Sequence, residues 1–272
     1  SLFFSTVLDG IQQETESEGY NLLISHSNED YEREVKCVET LLDARVCGIL
    51  VSQSKTTVKY DHFQEILDNN VHLLFFDRIC TGINTDKVVV DDYAGAFTAV
   101  EYLIESGCRN IAFLGSVPSM PISNNRRMGY EDALRKHKIA IDKKLIEVCD
   151  TVELAKKVIP EMLKLDPVPD AFFCINDEVA AYCIQIAKSL GFMVPEEVSV
   201  CGFTNSYITE VTYPRLTSVD QYGVEMGKVA ARLLINRIEG REKKEGVVSR
   251  VIKTELVVKE STKPVQSIAQ RY

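Results

Sequence analysis

Between Val194 and Gln221 the chain reads VPEEVSVCGFTNSYITEVTYPRLTSVDQ, and two short strands can be read from it. In Val198–Gly202 the branched residues Val198 and Val200 alternate with small ones and Gly202 closes the run, the pattern of a short buried strand. Pro214 precedes a second run, Leu216–Asp220. The polar segment Thr204–Tyr213 therefore leaves one strand and returns to the next. In an open α/β sheet such a loop lies at the carboxyl edge, where ligands bind.

Upstream, helical and extended patterns alternate. Phe3, Phe4, Val7, Leu8 and Ile11 make an apolar helical stripe that Gly19 stops, and Tyr20–Ser25 reads as a strand. Asn28 or Asp30 is placed to cap a helix bearing Val35, Val38, Leu41 and Leu42, followed by a strand at Gly48–Ser52. A helix marked by Phe63, Ile66 and Leu67 precedes the near-continuous apolar run Val71–Phe76, as expected of a parallel strand covered on both faces. Lys87–Asp91 closes this half. The pattern then restarts with helices and the strands Asn110–Gly115, Leu145–Val148 and Ala171–Ile175. After Asp220 come a long helix, Gly223–Ile238, one last strand within Val247–Glu260, and a polar, loose tail from Ser261.

The alternation predicts an α/β chain with parallel sheets and right-handed crossovers. No linker rich in Gly, Pro or Ser separates the halves. They read as two similar units joined by several strand-like crossings, which limits relative motion to hinge bending.

Composition narrows the function. The 272 residues carry a formal charge of −9, a poor match to phosphate backbones. No apolar run approaches membrane-spanning length, and the start lacks a signal-peptide layout. The eight cysteines (Cys37, Cys47, Cys80, Cys108, Cys149, Cys174, Cys183 and Cys201) form no C-x-x-C pair, so buried free thiols in a reducing cytosol are expected, with no metal. The histidines, His26, His62, His72 and His137, are isolated in sequence and read as surface or satisfied core positions. Nucleotide-binding glycine motifs, a nucleophile elbow and a zinc-protease motif are all absent, so no cofactor is called for and nothing argues for an enzyme.

Polar residues stand out at strand ends: Asp77 and Arg78, Asp91 and Asp92, Asn176 and Asp177. Asp92 and Asn176 serve equally well as helix caps. Of the loop arginines Arg126 and Arg127, whose planar donors suit polyhydroxyl or anionic ligands, Arg127 is the better candidate for a solvated helix face.

Several stretches, in order, resemble the effector-binding core of LacI/GalR-family transcription regulators. SLFFSTVLDGI…EGYNLLISHSNED is similar to that family's NPFF…GI…GY opening, and RVCGILV and LLFFDR resemble RVDGIIL and VVLIDR. VVVDDYAGAFTAVEYLIESGCRNIAFLG, NNRRMGYEDAL and AFFCINDEVA follow in the family's order, and the opening stretch resembles VPEDVSV-x-GFDD…P-x-LT-T-V-x-Q. The resemblance implies a type I periplasmic-binding-protein-like fold of two Rossmann-like subdomains joined by three crossovers. The boundaries expected are 1–91 with 220–246, then 92–219 with 247–260, then a tail at 261–272. It further implies a cytoplasmic, non-enzymatic homodimer that takes a small effector, most often a sugar, in the inter-subdomain cleft and binds operator DNA. Carried across position by position, the ligand-facing set is Phe3, Phe4, Asp77, Arg126, Thr151, Asp177, Asn205 and Gln221. Asp177→Ala is expected to abolish the effector response while leaving the fold.

Four departures from the family pattern bear on the site and the start. Asn124 stands where the family has its first loop arginine, and Thr204 stands at the first aspartate of GFDD. Thr151 occupies a place that is often aromatic. The family's helix-turn-helix headpiece and first apolar strand are not in these residues. The alternative reading is a periplasmic sugar-binding protein of a transporter. It shares the fold but would leave eight thiols in an oxidising compartment.

Overall fold

The computed structural model describes residues 2–118, 120–242 and 245–265. In chain order the elements begin α1 (Leu2–Ser17), α2 (Tyr31–Asp43), β1 (Gly48–Val51), α3 (Asp61–Asp68), β2 (His72–Phe76) and β3 (Asp86–Val90). They continue with α4 (Asp92–Glu105), β4 (Ile111–Gly115), α5 (Pro121–Lys136), β5 (Ile146–Val148), α6 (Val152–Met162), β6 (Ala171–Cys174) and α7 (Asp177–Ser189). The remainder are β7 (Ser199–Thr204), α8 (Ile208–Val211), β8 (Thr217–Asp220), α9 (Gly223–Ile238), β9 (Ser249–Ile252) and β10 (Glu255–Val257).

These elements sort into two compact units, Ser1–Val90 with Tyr222–Ile252, and Asp91–Gln221 with Lys253–Tyr272. The chain thus passes from one to the other three times. The first unit holds a parallel sheet in the order β1-β2-β3-β9. The second holds β10-β8-β7-β6-β4-β5, parallel except for the antiparallel edge pair β10/β8.

The apolar run at β2 is continuous because both of its faces are covered. Leu74 and Phe76 pack with Phe3, Val7 and Ile11 of α1 and with Met226 and Ala230 of α9. Leu73 and Phe75, pointing the other way, pack with Val38 of α2 and Phe63 and Ile66 of α3. The second unit repeats the scheme. Ile111, Phe113 and Phe173 meet α4 and α5 on one face, while Ala112, Leu114, Phe172 and Cys174 meet α6 and α7 on the other. Six of the cysteines are buried and none is oxidised, with only Cys47 exposed and Cys37 between.

Three expectations are corrected. Tyr20–Ser25 joins no ladder, because no strand lies beside that segment among the described residues, and Leu23 and Ile24 stay exposed. The single last strand is two, since β9 pairs with β3 in the first sheet and β10 with β8 in the second. Residues 247–252 therefore belong to the first unit. Finally, the tail is anchored where it begins. Ser261 donates to the Val200 carbonyl at 2.6 Å and accepts from the Thr217 N–H at 2.8 Å, and Thr262 is buried beside it. The part of the tail from 266 lies outside the described residues.

Candidate functional site

Strand geometry brings the polar strand-end residues to the carboxyl edge of each sheet, and each edge forms its own network. In the first unit, β2 ends at Phe76 and the backbone turns through Asp77 in the left-handed region (φ 57°), with its N–H on the Val88 carbonyl at 3.0 Å. Arg78 follows. Its Nη1 donates to both carboxylate oxygens of Glu29, each at 2.6 Å, and the guanidinium lies 5.4 Å from the Phe4 ring centre. Phe4 stands edge-on to Phe76 and is half-buried, whereas Phe3 is sealed in the core. Burial pushes the Glu29 carboxyl up, but the Arg78 hydrogen bonds and charge outweigh that and leave it below its ordinary value.

The loop after β1 is fastened to the same edge. The Lys55 N–H donates to Glu29 Oε2 at 3.0 Å and the Gln53 N–H to the Arg78 carbonyl at 3.1 Å. Behind it, buried Glu34 accepts from the Ser54 N–H and the Thr57 hydroxyl, both at 2.6 Å, and meets His62 Nε2 at 3.0 Å. His62 is thus a satisfied core histidine at one nitrogen, while Nδ1 is buried without a hydrogen-bond partner.

In the second unit Arg126 is 5% exposed. Its Nε donates to Asp92 at 2.8 Å and Nη1 to the Ile175 carbonyl at 2.6 Å, and its guanidinium carbon sits 3.6 Å from the centre of the Phe203 ring. Burial raises the Asp92 carboxyl above its ordinary value, with Arg126 pulling the other way. Arg127 pairs with Glu131 one turn along α5, a solvated helix face as expected. Asp177, 2% exposed, accepts from the Ser218 hydroxyl at 2.5 Å and from the Ser206 N–H and hydroxyl at 2.7 and 2.9 Å. Its oxygens thus tie the β7 and β8 loops together.

At the end of β7, Thr204 and Asn205 both have positive φ, 142° and 54°. Asn205 donates to Asp220 at 2.9 Å and accepts from Lys259 Nζ at 3.1 Å. Buried Gln221 accepts from the Thr204 hydroxyl at 3.1 Å. Thr151 is exposed and caps α6 through the Leu154 N–H at 3.3 Å, while the Ser116 hydroxyl donates to Asp150.

Phe4 and Asp77 thus share one edge, and Arg126, Thr151, Asp177, Asn205 and Gln221 the other. Glu29, the Ser116–Asp150 pair and Lys259 were missed. Their partners are far away in sequence (Glu29 and Arg78 are 49 residues apart), so no local period marks them. Among the described residues no cluster of His, Cys, Asp or Glu could hold a metal ion, and no helix is long and apolar enough to cross a membrane. A cavity of about 460 Å³ lies at the opposite, amino edge of the first sheet, lined by His72, Asn84, Asp86 and Arg237 among others. Its charged groups pair with each other, Arg237 Nε on Asp86 at 2.7 Å.

Comparison with known proteins gives a consistent result. The family described as periplasmic binding protein-like domain matches residues 100–262. The HTH-type transcriptional repressor CytR of Escherichia coli (strain K12) is 30% identical over 262 residues, covering 96% of this chain and 76% of that protein. The HTH-type transcriptional repressor PurR of Vibrio atlanticus (strain LGP32) is 32% identical over 253 residues, covering 91% and 74%. Among solved structures, the complex of transcriptional regulator CelR with cellobiose superposes with a TM-score of 0.87 at 26% identity, covering 96% of this chain and 79% of that one.

Proposed function

The chain belongs to the LacI family of transcription regulators with a periplasmic binding protein-like core, and on that premise we propose that it is the effector-sensing and dimerisation core of such a regulator. The observation that carries this is the match along nearly the whole chain to proteins named as HTH-type repressors. The same names weigh against the transporter reading and against an enzyme, so the core binds without turnover and works in the cytoplasm. Operator binding belongs to a helix-turn-helix module.

The effector is a sugar or sugar derivative. At the first unit's carboxyl edge its candidate contacts are Phe4 and Asp77, with Phe3 packed behind; at the second unit's they are Thr151 and Asn205, with Arg126, Asp177 and Gln221 holding the loops behind. The sugar class is supported by the cellobiose in the similar CelR complex and by the hydroxyl and amide groups gathered at the second edge. The homodimer is supported by Tyr207, Val211 and Tyr213, large apolar side chains left exposed around α8. Binding shifts an equilibrium between two states of the core through differential affinity, the only route by which a ligand can do so.

Thermal unfolding against neutral sugars, sugar phosphates and nucleobases tests this. A ligand present at about 100 times its Kd stabilises the chain by roughly 2.7 kcal/mol. Stabilisation by a sugar is the expected outcome, and a response confined to nucleobases overturns the sugar class.

A further inference from the structure

We infer that Glu29 is a built-in stand-in for a ligand anion: it occupies Arg78 at the first unit's carboxyl edge, so the protein selects effectors without a fixed negative charge there. This rests on the reading of that edge as part of the effector site. An arginine that recognises a carboxylate or phosphate places its donors on the anion's oxygens at short distance. Arg78 already does this internally, with Nη1 at 2.6 Å from both Glu29 oxygens and only 14% of its side chain exposed. The Arg126–Asp92 pair of the second unit differs, for both side chains are 6% exposed and Phe203 closes the guanidinium face, so it is an internal brace.

Glu29 reaches Arg78 through an uncomfortable turn. Asn28 and Glu29 are consecutive non-glycine residues in the left-handed region, at φ 52° and 62°. The turn is held by the Lys55 N–H on the Glu29 carboxylate and by the Thr56 hydroxyl on the Glu29 carbonyl at 3.0 Å. Strain kept at a site edge points to a role there. The turn delivers the Glu29 carboxylate to the Arg78 donors.

The surrounding charges agree. At the first edge Arg78 and the Lys55 N–H already donate to Glu29. At the second, Arg126 and Lys259 stand among Asp92, Asp150, Asp177, Asp220 and Glu210, an acidic excess, and Lys259 Nζ is engaged by Glu210 at 2.6 Å and Asn205 at 3.1 Å. At the first edge a phosphorylated ligand would meet the Glu29 carboxylate. A neutral polyol meets no such penalty, because a paired guanidinium, with five N–H donors, can still donate to hydroxyl oxygens. The class selected is an uncharged, hydroxyl-rich molecule.

The test titrates inorganic phosphate, against sodium chloride at matched ionic strength, into the wild-type chain and the Glu29→Gln and Arg78→Gln variants, following the unfolding temperature. It adds the pairs ribose and ribose 5-phosphate, glucose and glucose 6-phosphate, adenosine and AMP. Wild type is expected to ignore phosphate, and Glu29→Gln to gain a phosphate-specific stabilisation that Arg78→Gln lacks. Within any pair that binds wild type, the phosphorylated member is expected to be weaker by roughly ten-fold or more, from like-charge juxtaposition. A phosphorylated member that binds wild type as tightly as its neutral partner overturns the inference, as does phosphate stabilisation of wild type that Arg78→Gln removes. If no pair binds but Glu29→Gln gains the phosphate response, the stand-in role holds and the sugar reading fails. Should Glu29→Gln not fold, the wild-type and Arg78→Gln titrations decide.

Discussion

Asp177 shows what one buried carboxylate does in this fold. Three donors from two segments converge on it, Ser206 through its N–H and hydroxyl and Ser218 through its hydroxyl. Burial raises its carboxyl above the ordinary value, and those hydrogen bonds work against the shift. Removing the acceptor strands buried donors, which costs more than the net worth of the bonds. Asp177→Ala is therefore expected to lower the unfolding free energy by roughly 2–3 kcal/mol in urea titration. A variant as stable as wild type would mean that the β7 and β8 loops are held by something else. That a polar residue ends β6 was legible in the sequence. Its hydrogen-bond partners were not, because Ser206 and Ser218 lie 29 and 41 residues away and no local period marks them.

Elements were legible where apolar patterning is strong and obscure where pairing decides. Helix α9 has the bounds expected from its apolar stripe, and β2 differs by one residue, since period and burial are local properties. Tyr20–Ser25 carries strand-forming residues but no neighbour to bond, and the split of the last strand depends on two sheets the segment meets in turn. The α1–α9 crossing is equally non-local. A Cβ on Gly10 would run into the Val224 carbonyl, and one on Gly227 into the Val7 carbonyl, so each helix offers a glycine to the other's backbone. Backbone cannot yield as a side-chain tip can. Gly227→Ala, although it raises helix propensity, is expected to destabilise by about 1–3 kcal/mol through overpacking. A rise in unfolding temperature, the outcome propensity alone would give, counts against so close a crossing.

At the scale of the molecule, sensing and DNA reading must be separate physical events. A chain with a formal charge of −9 gains nothing from counterion release on DNA, so these 272 residues alone are expected to show no salt-dependent retardation of a duplex. Joined to a helix-turn-helix module, as in the HTH-type repressors it resembles, the core acts only through the difference in effector affinity between its two states. Thermodynamic linkage makes the coupling reciprocal: if effector changes operator affinity by a factor, operator changes effector affinity by the same factor, about 5–150-fold for 1–3 kcal/mol of coupling. Calorimetric titration of effector with and without saturating operator, set against operator titration with and without saturating effector, is expected to return equal ratios. A core that binds effector tightly yet returns a ratio of one in both directions would be a binding module without a switch. The regulatory reading would then fail while the fold and the site stood.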